Sequence, residues 1–296
     1  MTRPARLAVG VVSAGRVGAV IGAALERAGH TVTAVAAVSD ASRARAEALL
    51  PGASIRPPDE VARDADLVLL AIPDDVLAGT VRGLAAAGAM RQGQIVAHTS
   101  GAHGVDVLAP AAEQGALTLA LHPVMTFTGR GEDLDRIAAC CFGVTAADGD
   151  DAAWSVAEAL VVEMGAEPVR VTEAVRPLYH TALAHGANHL VTLVAECADL
   201  LRAADIATPE RLLGPLLSAA LDNALRHGDR ALTGPVARGD AGTVRKHVGV
   251  LAKHAPDALP AYRALAARTA DRATASGLLR ADLVADVRAA ITEEPA

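Results

Sequence analysis

The sequence of 296 residues has few aromatic side chains, which make up only 2% of it. Apolar residues nevertheless account for 52%, so the core must be built mainly from alanine, valine and leucine. That composition favours helices and buried parallel strands. A chain of this length is expected to bury a sizeable core divided between two domains.

Other absences exclude whole classes of partner. There is no basic block or arginine-rich stripe, and the net charge is −7, so nucleic acid is not an expected partner. No apolar run is long enough to cross a membrane. The apolar segment near the N-terminus is interrupted by Gly15 and Gly18, unlike a signal peptide. We therefore expect neither a membrane-bound nor an exported protein.

Cysteine and lysine are also scarce. Cys140, Cys141 and Cys197 are odd in number and show no C-x-x-C spacing, which favours a reduced, cytoplasmic setting. The two lysines, at 246 and 253, lie far towards the C-terminus. His185 and His189 are four positions apart but lack a carboxylate or cysteine at a fitting spacing, so no metal site is predicted.

The first part of the chain alternates short apolar runs with helical stretches, a pattern typical of βαβ units in an α/β fold. Strands are predicted at residues 7–12, 31–38, 67–72, 94–98, 116–121, 141–145 and 167–171. After residue 172 only helical patterns follow, at 178–204, 209–227, 243–253, 260–275 and 281–291. The sequence therefore predicts an α/β domain over residues 1–172 and an all-α domain over 173–296.

A degenerate glycine-rich turn, within VGVVSAGRVGAV at residues 9–20, joins the first strand to the first helix. A dinucleotide-binding turn reads G-x-G-x-x-G; here the second and third glycines are present and a serine replaces the first. Serine fits without strain only at negative φ, and positive φ would cost about 1 kcal/mol or more. The first amides of the helix would face an anion. We predict that the turn binds a dinucleotide pyrophosphate through Ser13, Ala14, Gly15, Arg16, Val17 and Gly18. A simple strand–helix turn is the alternative.

The residues that read the adenosine ribose are expected about 20 positions beyond such a turn. Asp40 could accept a hydrogen bond from a 2′-hydroxyl, which would favour NAD(H). Ser39, Ser42 and Arg43 could instead hold a 2′-phosphate, which would favour NADP(H). We predict NADP(H), with NAD(H) as the second choice. The alternative is that this segment only caps the next helix.

Three further segments place polar residues just after predicted strands: LLAIPDDVL (69–77), AHTSGAHGVDVLAP (97–110) and LALHPVMTF (119–127). Ligands of open α/β sheets bind beyond the carboxyl ends of the strands, so these segments should converge near the glycine-rich turn. We predict that Ile72, Pro73 and Thr99 line the cofactor site. Ser100 is expected to take part in catalysis, and His122 to bind substrate.

These segments, together with RPLYHTALAHGANHL (176–190) and ALTGPVARGDAGTVRKH (231–247), resemble the β-hydroxyacid dehydrogenase and pyrroline-carboxylate reductase superfamily. A closer resemblance is to a bacterial family in which a Rossmann-like domain precedes a C-terminal domain of unknown function, number 2520. The resemblance spans most of the chain. It implies a Rossmann fold, a helical domain like that of 6-phosphogluconate dehydrogenase, and a nicotinamide cofactor. Some members resemble ketopantoate reductase of pantothenate synthesis, which implies a small 2-oxo acid as substrate.

Reduction of a ketone needs a proton donor in addition to the hydride. Better-known members of the superfamily use a lysine on the first long helix of the second domain, and this chain has none there. The resemblance draws attention to His180 and Asn188 on that helix, and His180 is the expected donor because histidine titrates near neutrality. Arg238, in the loop 232–240, could bind a substrate carboxylate, unless that loop is only a connector.

The sequence thus predicts an NAD(P)-dependent oxidoreductase that forms a homodimer through its helical half. The missing lysine and the degenerate turn leave open a sensor that binds a dinucleotide without turnover. A deazaflavin-dependent oxidoreductase on the same scaffold is a further alternative.

Overall fold

The computed structural model describes residues 6–294. It contains two compact units, of which the first ends at His185 and the second begins at Gly186. The sequence places the boundary near residue 172, where strand-like runs end. The structure continues the first unit into the following helix, because Arg176 and Tyr179 near its start contact the sheet of that unit.

The first unit contains eight strands: β1 Ala8–Val12, β2 Thr31–Ala36, β3 Ser54–Ile55, β4 Leu67–Leu70, β5 Ile95–His98, β6 Leu117–Pro123, β7 Cys141–Thr145 and β8 Glu167–Arg170. They form one sheet in the order β3-β2-β1-β4-β5-β6-β7-β8. Neighbouring strands run parallel except β6 and β7, which pair antiparallel. The order 3-2-1-4-5-6 is that of a Rossmann fold, and it confirms the predicted α/β class.

Helices connect these strands. The sequence prediction lacks β3 and the helices over residues 58–63, 133–137 and 151–163. The first three of these elements have too few residues to show a period. The helices before β8 are α1 Arg16–Arg27, α2 Asp40–Leu49, α3 Pro58–Arg63, α4 Asp74–Ala86, α5 Ala109–Ala112, α6 Asp133–Ile137 and α7 Asp151–Glu163. They cover the central strands of the sheet, which are apolar on both faces.

Strand β4 shows how the sheet is buried. Its four residues read LVLL, and all are buried. Leu67 and Leu69 pack in one aliphatic cluster with residues of α1 and α7. Val68 and Leu70 face the opposite cluster, which includes residues of α3 and α4. Burial on both faces explains why the central strands read as continuous apolar runs rather than alternating ones. Because β1, β4, β5 and β6 pair in parallel, their carboxyl ends lie along one edge of the sheet.

The second unit is helical throughout its described part. Its core is made largely of small side chains, such as Ala266, Ala270 and Ala273, which allow close helix packing. A one-turn helix, α10, lies inside the segment predicted as a loop. The helices are α8 Arg176–Ala203, which begins in the first unit, α9 Pro209–His227, α10 Pro235–Arg238, α11 Ala241–His254, α12 Leu259–Ala275 and α13 Val284–Thr292. Within residues 6–294, no helix combines the length and apolarity that a membrane span requires.

Candidate active site

The turn between β1 and α1 keeps the shape of a glycine-rich turn although serine opens it. Ser13 has φ 82°, in the left-handed region, so the strained alternative foreseen from the sequence is the one that occurs. The amide of Ala14 donates to the carbonyl of Ala36 at 3.0 Å, which ties the turn to β2. Strain of this kind costs about 1–3 kcal/mol and is commonly kept at functional sites.

The two glycines of the turn have different surroundings. A Cβ on Gly18 would lie 2.1 Å from the carbonyl oxygen of Ser13 and 2.8 Å from the Cβ of Ala71, so packing within the protein requires this glycine. A Cβ on Gly15 would meet no atom closer than the Ser13 hydroxyl oxygen at 3.5 Å. Protein packing therefore does not explain Gly15. The space beside it, in front of the first amides of α1, suits an approaching phosphate.

Replacing Ser13 with glycine should stabilise the protein. Glycine adopts positive φ without steric cost, and after its larger loss of chain entropy on folding we expect a net gain of about 1 kcal/mol. The midpoint of denaturant unfolding measures this change. Ser13→Ala is the matched control, because it keeps the strained conformation while removing the hydroxyl. Equal midpoints for the glycine and alanine variants would contradict the assignment of strain to Ser13.

The serines after β2 serve the next helix. Ser39 is the N-cap of α2 and accepts a hydrogen bond from the amide of Ser42 at 3.2 Å. The buried Ser42 donates its hydroxyl to the Ser39 carbonyl at 2.7 Å. The capping interpretation therefore accounts for both hydroxyls in this structure. The side chains of Asp40 and Arg43 remain exposed beside the cap.

Arginine side chains without carboxylate partners gather between the turn and the segment after β6. A Cβ on Gly129 would lie 2.8 Å from Cγ of Arg16 and 2.9 Å from Nε of Arg45, so these two side chains lie side by side. Within residues 6–294, no carboxylate is within 4.0 Å of the guanidinium of Arg16, Arg43 or Arg45. The carboxylate of Asp133 fixes the neighbouring loop by accepting the amide of Gly129 at 2.8 Å. The result is a positively charged surface next to the start of α2.

The segment after β5 is ordered by a buried histidine. His98 accepts the amide of Ser100 at its Nδ1, 3.1 Å away, and its Nε2 lies 2.8 Å from the carbonyl of Gly104. Burial lowers the pKa of His98 to about 4, so the ring is neutral at physiological pH and donates from Nε2. Ser100 in turn accepts the amides of Ala102 and His103 through its hydroxyl oxygen. His98 and Ser100 therefore shape this segment.

Three side chains meet beside this segment: His122 and His180, both predicted from the sequence, and Tyr179. Nδ1 of His122 lies 2.8 Å from the hydroxyl of Tyr179. The rings of His122 and His180 meet edge to face, with centroids 6.1 Å apart. Gly101 makes this approach possible, because a Cβ there would lie 2.6 Å from Cδ2 of His180 and 2.8 Å from Nε2 of His122. Burial, and secondarily the charge of Arg176, lower the pKa of His122 to about 4.

Arg176 links the segment after β5 to strand β7. No role was predicted for this residue from the sequence. Its buried guanidinium donates to the carbonyl of Ser100 at 2.9 Å and to the hydroxyl of Thr145 at 2.5 Å. Glu173, one turn earlier, accepts the amide of Val105 at 2.7 Å. The sequence does contain a signal for a role of Arg176. The spacing of residues 176, 179 and 180 places all three side chains on one side of the first turn of a helix.

The remaining predicted residues have distinct locations. Ile72 and Thr99 are half-buried directly beyond β4 and β5, and Pro73 is exposed and precedes α4. Asn188 is exposed on the part of α8 that belongs to the second unit. The guanidinium of Arg238 donates to the carbonyl of Thr233. The described residues contain no group of three or more His, Cys, Asp or Glu placed to hold a metal ion.

Several solved structures share this fold. A Bacteroides fragilis protein described as a candidate NADP oxidoreductase is 20% identical, with a TM-score of 0.75 over 90% of this chain and 98% of that one. A reductive aminase from Aspergillus terreus, in complex with NADPH and ethyl levulinate, is 16% identical, with a TM-score of 0.64 over 96% and 99%. A pyrroline-5-carboxylate reductase from Coxiella burnetii is 14% identical, with a TM-score of 0.57 over 93% and 100%.

The family models agree with the architecture. The model of a Rossmann-like domain matches residues 1–123, and that of a domain of unknown function, DUF2520, matches residues 140–269. A search of the curated proteins finds no significant match. The chain therefore belongs to the family of proteins in which a Rossmann-like domain is followed by a DUF2520 domain.

Proposed function

We propose that this protein is a reductase that uses a nicotinamide dinucleotide to reduce a small carbonyl compound. The observation that carries the proposal is the turn from Ser13 to Gly18. It keeps the conformation of a glycine-rich turn in spite of strain, and it leaves space at Gly15 that protein packing does not require. A strained turn with an open position in front of a helix N-terminus fits the pyrophosphate of a dinucleotide.

The preferred cofactor is NADP(H), with NAD(H) as the second choice. Arg16, Arg43 and Arg45 supply positive charge that no carboxylate within residues 6–294 neutralises at ion-pair distance. An arginine fork binds a phosphate through two parallel hydrogen bonds. The fold neighbour from Aspergillus terreus is in complex with NADPH, which is consistent with this choice.

Replacing Arg45 with alanine should reduce the preference for the 2′-phosphate. We expect the affinity for NADP⁺ to fall about tenfold, because one charge-assisted contact is lost, while the affinity for NAD⁺ changes little. Calorimetric titration of both nucleotides measures the ratio of the affinity for NADP⁺ to that for NAD⁺. Arg82→Ala is the control, since Arg82 lies on α4. An equal loss for both nucleotides would contradict a role of Arg45 in reading the 2′ position.

The substrate is proposed to be a small 2-oxo acid, with ketopantoate as the first candidate. When bound, the nicotinamide supplies the hydride. Side chains beyond β5 and β6 then have to orient the carbonyl and supply a proton. Four side chains lie at the carboxyl ends of β5 and β6 and are available for these tasks: the neutral His122, the half-buried Thr99, Tyr179 and His180. Ser100 contributes by ordering the segment, and its hydroxyl hydrogen can still be donated.

We also propose that Asn188 and Arg238 contact the substrate.

We further propose that the protein forms a homodimer. In the second unit, α9 exposes Leu212, Leu216 and Leu225, and exposed apolar patches of this kind mark interaction surfaces. A second copy of the chain is the expected partner. Sedimentation at equilibrium would contradict this if it gave the mass of a monomer.

The proposed function is tested by following the absorbance of NADPH in the presence of a panel of 2-oxo acids. Consumption that requires one of these acids supports a reductase. Binding of NADPH without consumption by any carbonyl compound would instead favour a dinucleotide sensor. Binding of a deazaflavin in place of NADPH would favour the third alternative.

A further inference from the structure

We propose that Tyr179 gives the proton to the reduced substrate and that Arg176 is the positioning residue that holds Tyr179 for this role. The inference rests on the proposed reductase function. Its geometric basis is the contact of the Tyr179 hydroxyl with Nδ1 of His122 at 2.8 Å and the position of the Arg176 guanidinium carbon, 5.9 Å from the centre of the tyrosine ring.

The neutral state of His122 decides which way this hydrogen bond can run. Burial holds the pKa of His122 at about 4, so near neutrality its ring carries one hydrogen. In the tautomer with that hydrogen on Nδ1, His122 donates to the phenolic oxygen of Tyr179. The phenolic hydrogen is then free to point at another acceptor. A carbonyl oxygen that becomes an alkoxide is such an acceptor.

Arg176 is a buried cation with no carboxylate at ion-pair distance within residues 6–294. Burial lowers its pKa, and the charges of Glu173 and Asp74, which lie beyond ion-pair distance, act in the opposite direction. Arg176 donates to the Ser100 carbonyl and the Thr145 hydroxyl, both neutral, and its Nε has no hydrogen-bond partner within the described part of the chain. A charge without a direct carboxylate partner acts strongly on its neighbours in a buried site. Arg176 therefore stabilises the phenolate that remains after Tyr179 has lost its proton, and it disfavours protonation of His122.

The groups around Tyr179 act in opposite directions. Burial raises the pKa of Tyr179, and the charge of Arg176 lowers it. Cys140 and Cys141, at the start of β7, raise it further, and His122 on β6 contacts the hydroxyl. Tyr179 is thus protonated at physiological pH, as an acid must be, and Arg176 is the group that counteracts the loss of acidity through burial.

The proposed step conserves atoms and charge. Hydride is added to the carbonyl carbon, the electron pair of the C=O π bond moves to oxygen, and that oxygen takes the phenolic hydrogen of Tyr179. The phenolate recovers a proton from Nδ1 of His122 while Nε2 of the same ring accepts one. The replacement proton is assigned to His180, whose ring lies edge-on to that of His122 beside Gly101. The donor role predicted for His180 thereby becomes a role in reprotonation.

The tyrosine titration gives a readout that does not depend on activity. The chain has two tyrosines, and Tyr262 lies in the second unit, so the Tyr262→Phe variant reports on Tyr179 alone. In that variant, adding Arg176→Met should move the midpoint of tyrosinate absorbance upwards by about one pH unit. Arg176→Lys keeps the charge and should leave the midpoint within about half a unit. An unchanged or lowered midpoint in the methionine variant would overturn the role of Arg176.

Single-turnover kinetics test the proton donor itself. Tyr179→Phe should slow the first turnover about 100-fold without changing NADPH affinity, whereas His180→Ala should keep the first turnover and slow the later ones. A Tyr179→Phe variant with an unchanged first turnover would refute the proposal while leaving the reductase function intact. If the wild type consumes no NADPH, the reductase function fails instead, and the tyrosine titration still decides the role of Arg176. If the Arg176→Met variant does not fold, the single-turnover kinetics of Tyr179→Phe decide whether the proposal holds.

Discussion

Replacing Gly15 with alanine is expected to weaken NADPH binding about 10- to 100-fold, because the added methyl group would occupy the space of a phosphate and disturb its charge-assisted hydrogen bonds. The protein itself tolerates the methyl group. Gly15 is the N-cap of α1 with φ −67° and ψ −173°, which any residue adopts, and the nearest atom to the new Cβ is 3.5 Å away. Loss of affinity would therefore report on the ligand and not on misfolding.

Fluorescence or calorimetric titration with NADPH measures this effect, and thermal unfolding checks the fold. We expect the free energy of unfolding to change by about 1 kcal/mol or less, since alanine is only a poorer N-cap than glycine. Gly83→Ala is the matched control, because Gly83 lies within α4 with no atom within 4 Å of an added Cβ. Wild-type affinity in the Gly15→Ala variant would place the dinucleotide elsewhere.

Replacing Gly101 with alanine is expected to cause the second large effect, a loss of catalytic rate. An alanine there would place its Cβ 2.6 Å from Cδ2 of His180 and 2.8 Å from Nε2 of His122, so at least one ring has to move. Misplacement of catalytic groups by about 1 Å can cost about 100-fold in rate. We therefore expect kcat for 2-oxo acid reduction to fall about 100-fold while NADPH binds normally.

The comparison of kcat with NADPH affinity distinguishes this effect from damage to the whole unit. Gly52→Ala is the control, since no atom lies within 4 Å of a Cβ at that position. It should behave as the wild type in both measurements. A Gly101→Ala enzyme with an unaltered kcat would show that the positions of His122 and His180 do not matter for turnover.

The sequence predicted those features that depend on local pattern. The strands predicted at residues 7–12, 67–72 and 94–98 correspond to three central strands, because strands buried on both faces are rich in consecutive apolar residues. The glycine spacing likewise identified the turn. Ser39 shows the limit of such reasoning, since a polar residue after β2 can serve either a ribose or a helix cap, and only the structure shows that its hydroxyl oxygen accepts the Ser42 amide.

What the sequence could not predict depends on contacts between distant residues. An arginine at the start of a predicted helix gives no sign of burial, yet Arg176 is buried against Thr145, 31 positions earlier. The contact of Arg45 with the segment around Gly129 joins residues on either side of several strands. The positive φ of Ser13 is another such feature, in a turn where the Ser13 carbonyl lies close to Gly18. No periodicity or composition carries such information.

The central claim, that the strained turn binds a pyridine dinucleotide, is tested most directly by calorimetric titration of NADPH into the wild-type protein. We predict saturable binding of one NADPH per chain, weaker binding of NADH, and a marked loss of affinity in the Gly15→Ala variant. The absence of measurable binding for every pyridine nucleotide would contradict it.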